Sequence, residues 1–406
     1  MLARARRPPG PLPLLALFAG GALTVSCASR GAPPGIPPTA PEPPSAIPSA
    51  CLVVTDSVGP ARTITAAFAD SSDARRASLA SAVESPVRLD CEGRPSPGIA
   101  SAWSRDTSGR FWTLELGGAA AAWTASALAA AWRASPDASG ALREAGAESL
   151  LPLDDRRLVV GFSTTRPELP SLFADRALGV ALRDSGSTGI LPQPAFGDLR
   201  DAVDQGVDLV QTDDPALLDY ASRRPGLSVI PLPWSRSYVL LLPPGSAGLG
   251  SAIPPDSAGF RESLAREVVR ADARAAAGLQ WRADSGCAPA VVAPATRRSN
   301  AVAYPAADRV ARDLAERLVA LAGDAGLTAR GLADAAFSDA LGGGTERAFV
   351  VAVPLHAPVP CWPAGSSAVP LVETRSHAIV RRGTPPIVVE WDGALRGGPD
   401  TARSVR

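Results

Sequence analysis

The stretch from Glu84 to Leu116, ESPVRLDCEGRPSPGIASAWSRDTSGRFWTLEL, constrains the fold more than any other part of the chain. Val87–Leu89 reads as a short strand and Glu92-Gly93 as a tight turn. A proline-bounded segment then runs to Trp103, and a second polar turn at Asp106–Gly109 leads into a strand, Phe111–Leu116. Both turns carry glycine where a positive φ is expected. In the last strand Phe111, Thr113 and Glu115 alternate with Trp112, Leu114 and Leu116. Alternation with period two places one face against a core and the other against water.

Helical periodicity flanks this strand-rich stretch. Asp73 to Val83 reads as a helix with Ala74, Ala77, Leu79, Ala80 and Val83 on its apolar side, and Thr124 as the N-cap of a helix reaching Trp132. Leu128 and Trp132, four residues apart, point inward from it. Strands are expected at Arg157–Phe162, Arg176–Leu182, Gly206–Val210, Leu227–Leu232 and Arg236–Leu242. Helices are expected at Glu168–Ala174 and Asp213–Arg223, where Asp213 and Asp214 favour the positive end of the second. Pro243 to Pro255 is rich in proline and glycine and reads as a boundary. Beyond it come a helix (Phe260–Ala271), a strand (Ala301–Tyr304) and a long amphipathic helix, Ala306–Ala322, with Val310, Leu314, Leu318 and Leu321 as its stripe. The strand Ala348–Val353 completes a small α/β unit with parallel pairing. Gly342-Gly343-Gly344 is not followed by a helix and reads as a connector, not a phosphate loop. Strands Val369–Val372, His377–Arg381 and Ile387–Glu390 close the chain.

Composition removes several functions. The 406 residues are enough for two or three domains. Forty basic and forty acidic side chains cancel, so there is no electrostatic case for nucleic acid. With only His356 and His377, neither a catalytic triad nor a zinc site built on several histidines is expected, and no cofactor or metal is implied. No nucleophile elbow accompanies the many serines, and no enzyme is expected.

The beginning of the chain reads as a targeting segment. Arg4, Arg6 and Arg7 precede an apolar run, Leu12 to Leu23, too short to span a bilayer and suited to a signal peptide. The run ends at Thr24-Val25-Ser26-Cys27, which resembles the lipobox of bacterial lipoproteins; an ordinary signal peptide with an incidental cysteine is the other reading. Acylation at Cys27 would anchor the chain to a membrane. Residues 28–50 are proline-rich and read as a spacer.

The order of elements from Glu84 onward resembles the periplasmic solute-binding proteins of the peptide- and nickel-importer class. The resemblance rests on Asp90-Cys91-Glu92-Gly93, on Pro97-Gly98-Ile99-Ala100-Ser101-Ala102-Trp103 and on Gly109–Leu116, then on Thr124–Leu128, on Gly186–Gly189 and on Gly206–Val210. It implies an α/β, two-lobed periplasmic-binding-protein-like fold of class II, with mixed sheets flanked by helices and a central cleft. The implied divisions are a signal peptide at 1–26, an anchor and linker at 27–50 and a first lobe at 51–245. A smaller second lobe at 246–365 and a return to the first lobe at 366–406 complete them. Two connections, near Pro243 and Ala368, would then join the lobes.

The resemblance puts Trp234, Arg236 and Tyr238 near the cleft, with Ser187-Thr188-Gly189 and Arg375. Trp and Tyr offer flat apolar surface, and Arg clamps a carboxylate; core packing is the competing reading of Trp234 and Tyr238. The implied function is a monomeric, lipid-anchored protein at the periplasmic or extracellular face that delivers a small solute or peptide to an ABC importer permease. The alternative is a degenerate relative serving as a structural, sensory or interaction module. The acidic segment of the family's peptide binders is missing after Val353, where Pro354-Leu355-His356-Ala357-Pro358 stands, so peptide specificity does not carry over. Apart from Cys27 the cysteines are Cys51, Cys91, Cys287 and Cys361, an even number that argues for disulfides in an exported chain. Three connectivities are possible; intra-lobe pairs, Cys51–Cys91 and Cys287–Cys361, are the expectation.

Overall fold

The computed structural model describes residues 51–53, 62–69, 71–117, 123–166, 169–181, 189–193, 198–246, 258–267, 272–277, 298–324, 326–356 and 365–398. They form a mixed α/β structure built on three larger sheets.

The first sheet has five strands in the order Ile190–Pro192, Ile64–Phe68, Leu209–Thr212, His377–Arg381, Leu227–Pro231. The first three run parallel and the last two join antiparallel. Leu209–Thr212 is buried along its whole length, as expected of a central strand covered on both faces. The helices Ser71–Ala82, Leu199–Asp204 and Pro215–Ser222 accompany this sheet. Asp198 and Asp214 cap the last two through bonds to the Arg200 and Ala216 amides.

The second sheet has four antiparallel strands: Ala100–Arg105, Phe111–Leu116, Arg157–Phe162 and Ala147–Pro152. Its inner face carries Trp112, Leu114, Leu116, Leu158 and Val160 against the helices Ala125–Ala134 and Pro136–Glu144. Thr124 caps the first helix by accepting from the Ala127 amide, and Leu128 and Trp132 are buried. Trp132 Nε1 donates to the Leu178 carbonyl at 2.9 Å, and its ring stacks on Phe173. Phe111 is exposed, as the alternation requires.

The third sheet has six strands in the order Ala273–Ala275, Ser367–Thr374, Arg236–Leu242, Glu346–Pro354, Ser299–Pro305, Thr328–Leu332. Ser299–Pro305 pairs parallel with both of its neighbours. The helix Arg309–Ala322 lays Val310, Ala311, Leu314, Ala315 and Leu318 on this sheet. It begins after Asp308, whose carboxylate accepts from the Ala311 amide, not at Ala306. It stops at Gly323, whose φ of +63° suits glycine.

Several expectations are corrected. Arg176–Leu182 is not one strand: Arg176–Leu178 is a 3-10 turn capped by Asp175, and among the described residues of this run only Val180–Ala181 pairs. The turn lets Arg176 reach Glu390 and Asp392. Ala147–Pro152 and Thr328–Leu332, not anticipated, are edge strands. Half-exposed edges need little apolar patterning, which is why neither stood out. The crossings between the first and third sheets also move. Arg236–Leu242 and Ser367–Thr374 both belong to the third sheet and pair with each other, so the connections are 232–235 and 375–376. The proline- and glycine-rich run after Leu242 marks the end of a buried central strand, not a change of lobe.

Cys51 and Cys91 are disulfide-bonded, with their Cα atoms 5.4 Å apart. Cys27, Cys287 and Cys361 lie outside the described residues.

Candidate functional site: the cleft at the crossings

The two crossing segments run side by side. The Leu232 amide donates to the Ser376 carbonyl at 2.9 Å and the Ser235 amide to the Thr374 carbonyl at 3.3 Å. Beside them a cavity of about 670 Å³ opens between the first and third sheets. That volume falls within the ordinary range for small-molecule sites.

The wall on the side of the first sheet is the strand end Gln211-Thr212-Asp213-Asp214, with Asp73 and Arg76 on the helix Ser71–Ala82. The opposite wall is Arg236 and Tyr238 at the start of the central strand, and Asp308-Arg309-Val310 at the start of the long helix. Ser235, Thr374, Arg375 and Ser376 of the crossings lie between.

Charge pairs span the cavity. Arg309 reaches from the long helix to Asp213 at 3.0 Å, and Arg236 bonds Asp73, which also takes Arg76. Tyr238 is 1 % exposed, and its hydroxyl donates to the Asp308 carboxylate at 3.1 Å. Burial, and then the Asp308 charge, push the Tyr238 phenol far above its usual range, so it acts as a neutral donor. Arg375 bonds Asp272 at 2.5 Å. Gln211 is 4 % exposed; its amide nitrogen donates to the Ser376 hydroxyl at 2.8 Å. Its amide oxygen accepts from no group among the described residues. Burial holds His377, at the foot of the return crossing, below the usual imidazole range.

The residues named from sequence divide. Arg236, Tyr238 and Arg375 lie on the cavity wall. Trp234 does not. Its indole makes cation–π contacts with the guanidinium groups of Arg274 at 4.5 Å and Arg375 at 4.8 Å, which fix the crossing segment. Gly189 is also away from the wall, and its carbonyl accepts from the Ile64 amide. Ser187 and Thr188 lie outside the described residues. Sequence reasoning missed Asp73, Gln211, Asp308 and Arg309. Asp308 stood one residue before a strongly amphipathic helix, so its N-cap position was readable; its place on a cleft wall was not.

No protein-family model matches the sequence, and no curated protein matches it. Solved structures do. The pheromone receptor PrgZ, described with its mode of peptide binding, superposes with a TM-score of 0.55 at 10 % identity, over 83 % of this chain and 100 % of that one. The PBP AgaA from A. tumefaciens R10, in complex with agropinic acid, gives 0.53 at 9 % identity over 78 % and 93 %. The Escherichia coli murein tripeptide binding protein MppA gives 0.51 at 11 % identity over 80 % and 95 %. At these identities the likeness is one of fold: the chain has the two-lobed periplasmic-binding-protein fold.

Proposed function

We propose that this chain is a solute-binding protein of the peptide- and nickel-importer class, working outside the cytoplasm and handing a small solute to an ABC importer. The observation that carries the reading is the cleft itself: about 670 Å³, lined by charged and apolar groups together, and flanked by two sheets that the described chain connects through residues 232–235 and 375–376. Two short crossings permit hinge closure while keeping the halves in register. Among the described residues the wall offers charged, amide and hydroxyl groups suited to holding a solute. In this reading residues 1–26 are a signal peptide, Cys27 is acylated, residues 28–50 tether the chain and the protein acts as a monomer. Arg236, Tyr238 and Arg375 contribute to the cleft, and a second disulfide joins Cys287 to Cys361.

Closure requires a ligand that interacts differently with the open and closed forms. The test is small-angle scattering on protein unfolded, freed of solute, refolded, and then given back the heat-stable extract of the native protein. The expected result is a smaller radius of gyration with extract than without. An unchanged radius, with a cleft that takes up nothing, supports the degenerate module instead.

A further inference from the structure

The two walls of the cleft hold each other by charge. Asp73 takes Arg236, and Asp213 accepts from Arg309 at 3.0 Å. In each pair the carboxylate belongs to the side of the first sheet: Asp73 lies in the helix Ser71–Ala82, and Asp213 follows Leu209–Thr212. Each arginine belongs to the other side. Arg236 opens a strand of the third sheet, and Arg309 opens the helix packed on that sheet.

Both pairs reach beyond the crossings. The crossing residues 232–235 and 375–376 join Leu227–Pro231 and His377–Arg381 to Arg236–Leu242 and Ser367–Thr374. Asp73 follows Ile64–Phe68, two strands from His377–Arg381 in the first sheet. Arg309 follows Ser299–Pro305, two strands from Arg236–Leu242 in the third. At about 4.8 Å per strand, each pair has one partner roughly 10 Å to the side of a crossing strand. Opening the cleft about the crossings therefore pulls both pairs apart.

The two arginines also move together. Asp308 caps the long helix by accepting from the Ala311 amide, and the buried Tyr238 hydroxyl donates to the same carboxylate at 3.1 Å. The helical turn that carries Arg309 is thereby tied to the strand that carries Arg236.

We propose that Asp73–Arg236 and Asp213–Arg309 form a two-point latch that holds the lobes together before a solute arrives. Its role as a gate to the cleft rests on the solute-binding reading above. The arms differ in shelter: the side chains of Arg309 and Asp213 are 43 % and 31 % exposed, those of Arg236 and Asp73 23 % and 12 %. Salt screens exposed charges more than sheltered ones, so the Asp213–Arg309 arm yields first as ionic strength rises.

The experiment is single-molecule energy transfer in the solute-free protein, with dyes on p-acetylphenylalanine at the exposed positions Arg223 of the first lobe and Ser338 of the second. The expected result is a compact and an open population. Their ratio falls about 1.5- to 5-fold between low salt and about 1 M sodium chloride, the range for one exposed ion pair. Arg309→Gln produces the same fall in low salt and removes most of the salt response. Exchanging the charges, Asp213→Arg with Arg309→Asp, recovers more than half of the wild-type ratio, which a merely local role of either residue does not explain. A ratio indifferent to both salt and Arg309→Gln, or an exchanged pair as open as Arg309→Gln alone, overturns the proposal. Where a variant does not refold, the salt series on the unsubstituted chain decides. Contraction on adding the heat-stable extract, without a salt response, defeats the latch and leaves solute binding intact. A salt response without contraction keeps the latch as an inter-lobe lock and defeats solute binding.

Discussion

Asp208 is the best place to put a number on the first lobe. Its carboxylate accepts from both Arg62 terminal nitrogens, at 2.7 and 2.5 Å, and from the Thr65 amide and hydroxyl, both at 2.9 Å. Arg62 and Thr65 belong to the start of one central strand and Asp208 to the start of the parallel neighbour, so the cluster sets their register. Burial raises the Asp208 pKa, but the bonds from Arg62 and Thr65 outweigh it and hold the carboxyl at about 2. Against an unfolded value of about 3.9, that depression corresponds to ~2.5 kcal/mol. Arg62 is 44 % exposed, and solvent screening brings the figure to about 2 kcal/mol. Because the folded pKa is depressed, the stabilisation is complete above the unfolded pKa and disappears as pH falls through the folded one. The perturbation is Asp208→Asn, followed by urea unfolding of both proteins at pH 7, 5, 4 and 3. A gap of about 2 kcal/mol at pH 7 is expected, roughly halved by pH 3 and closing further below it. A gap that stays constant with pH, or is absent at pH 7, would refute the reasoning.

Three further outcomes are expected. Replacing Cys51 and Cys91 together by serine frees a loop spanning a sequence separation of 40; ideal loop entropy puts the loss at about 4 kcal/mol, checked by urea unfolding of oxidised and substituted protein. Trp132→Ala, which removes a buried ring and its bond to Leu178, costs about 3–5 kcal/mol by the same measurement. Cys27→Ala moves the protein from the membrane to the soluble fraction of its host; a mutant still membrane-bound, with no acyl mass on wild-type Cys27, contradicts the anchor.

Local chemistry was legible, and long-range juxtaposition was not. The alternation of Phe111–Leu116, the Thr124 cap and the stripe of Val310, Leu314 and Leu318 are written in neighbouring residues, and each predicted its element. The Cys51–Cys91 bond followed from an even cysteine number and the lobe assignment. The cleft pairs have no such local signature. Asp73 and Arg236 are separated by 163 positions, and Asp213 and Arg309 by 96; neither partner looks unusual in its own segment. Asp213-Asp214 read as a helix end, which they are, but they are half-buried, and only the sheet topology turns that end toward Arg309. The crossing points were misplaced for a related reason: proline and glycine mark where a strand stops, whereas sheet membership is decided by partners far along the chain.

The central claim, that the cleft is a solute site, is tested most directly by native mass spectrometry of protein purified from its own host. A mass excess of a few hundred daltons is predicted, lost on denaturation. A chain that flies at its bare mass under the gentlest conditions, and likewise after incubation with host extract, contradicts the claim.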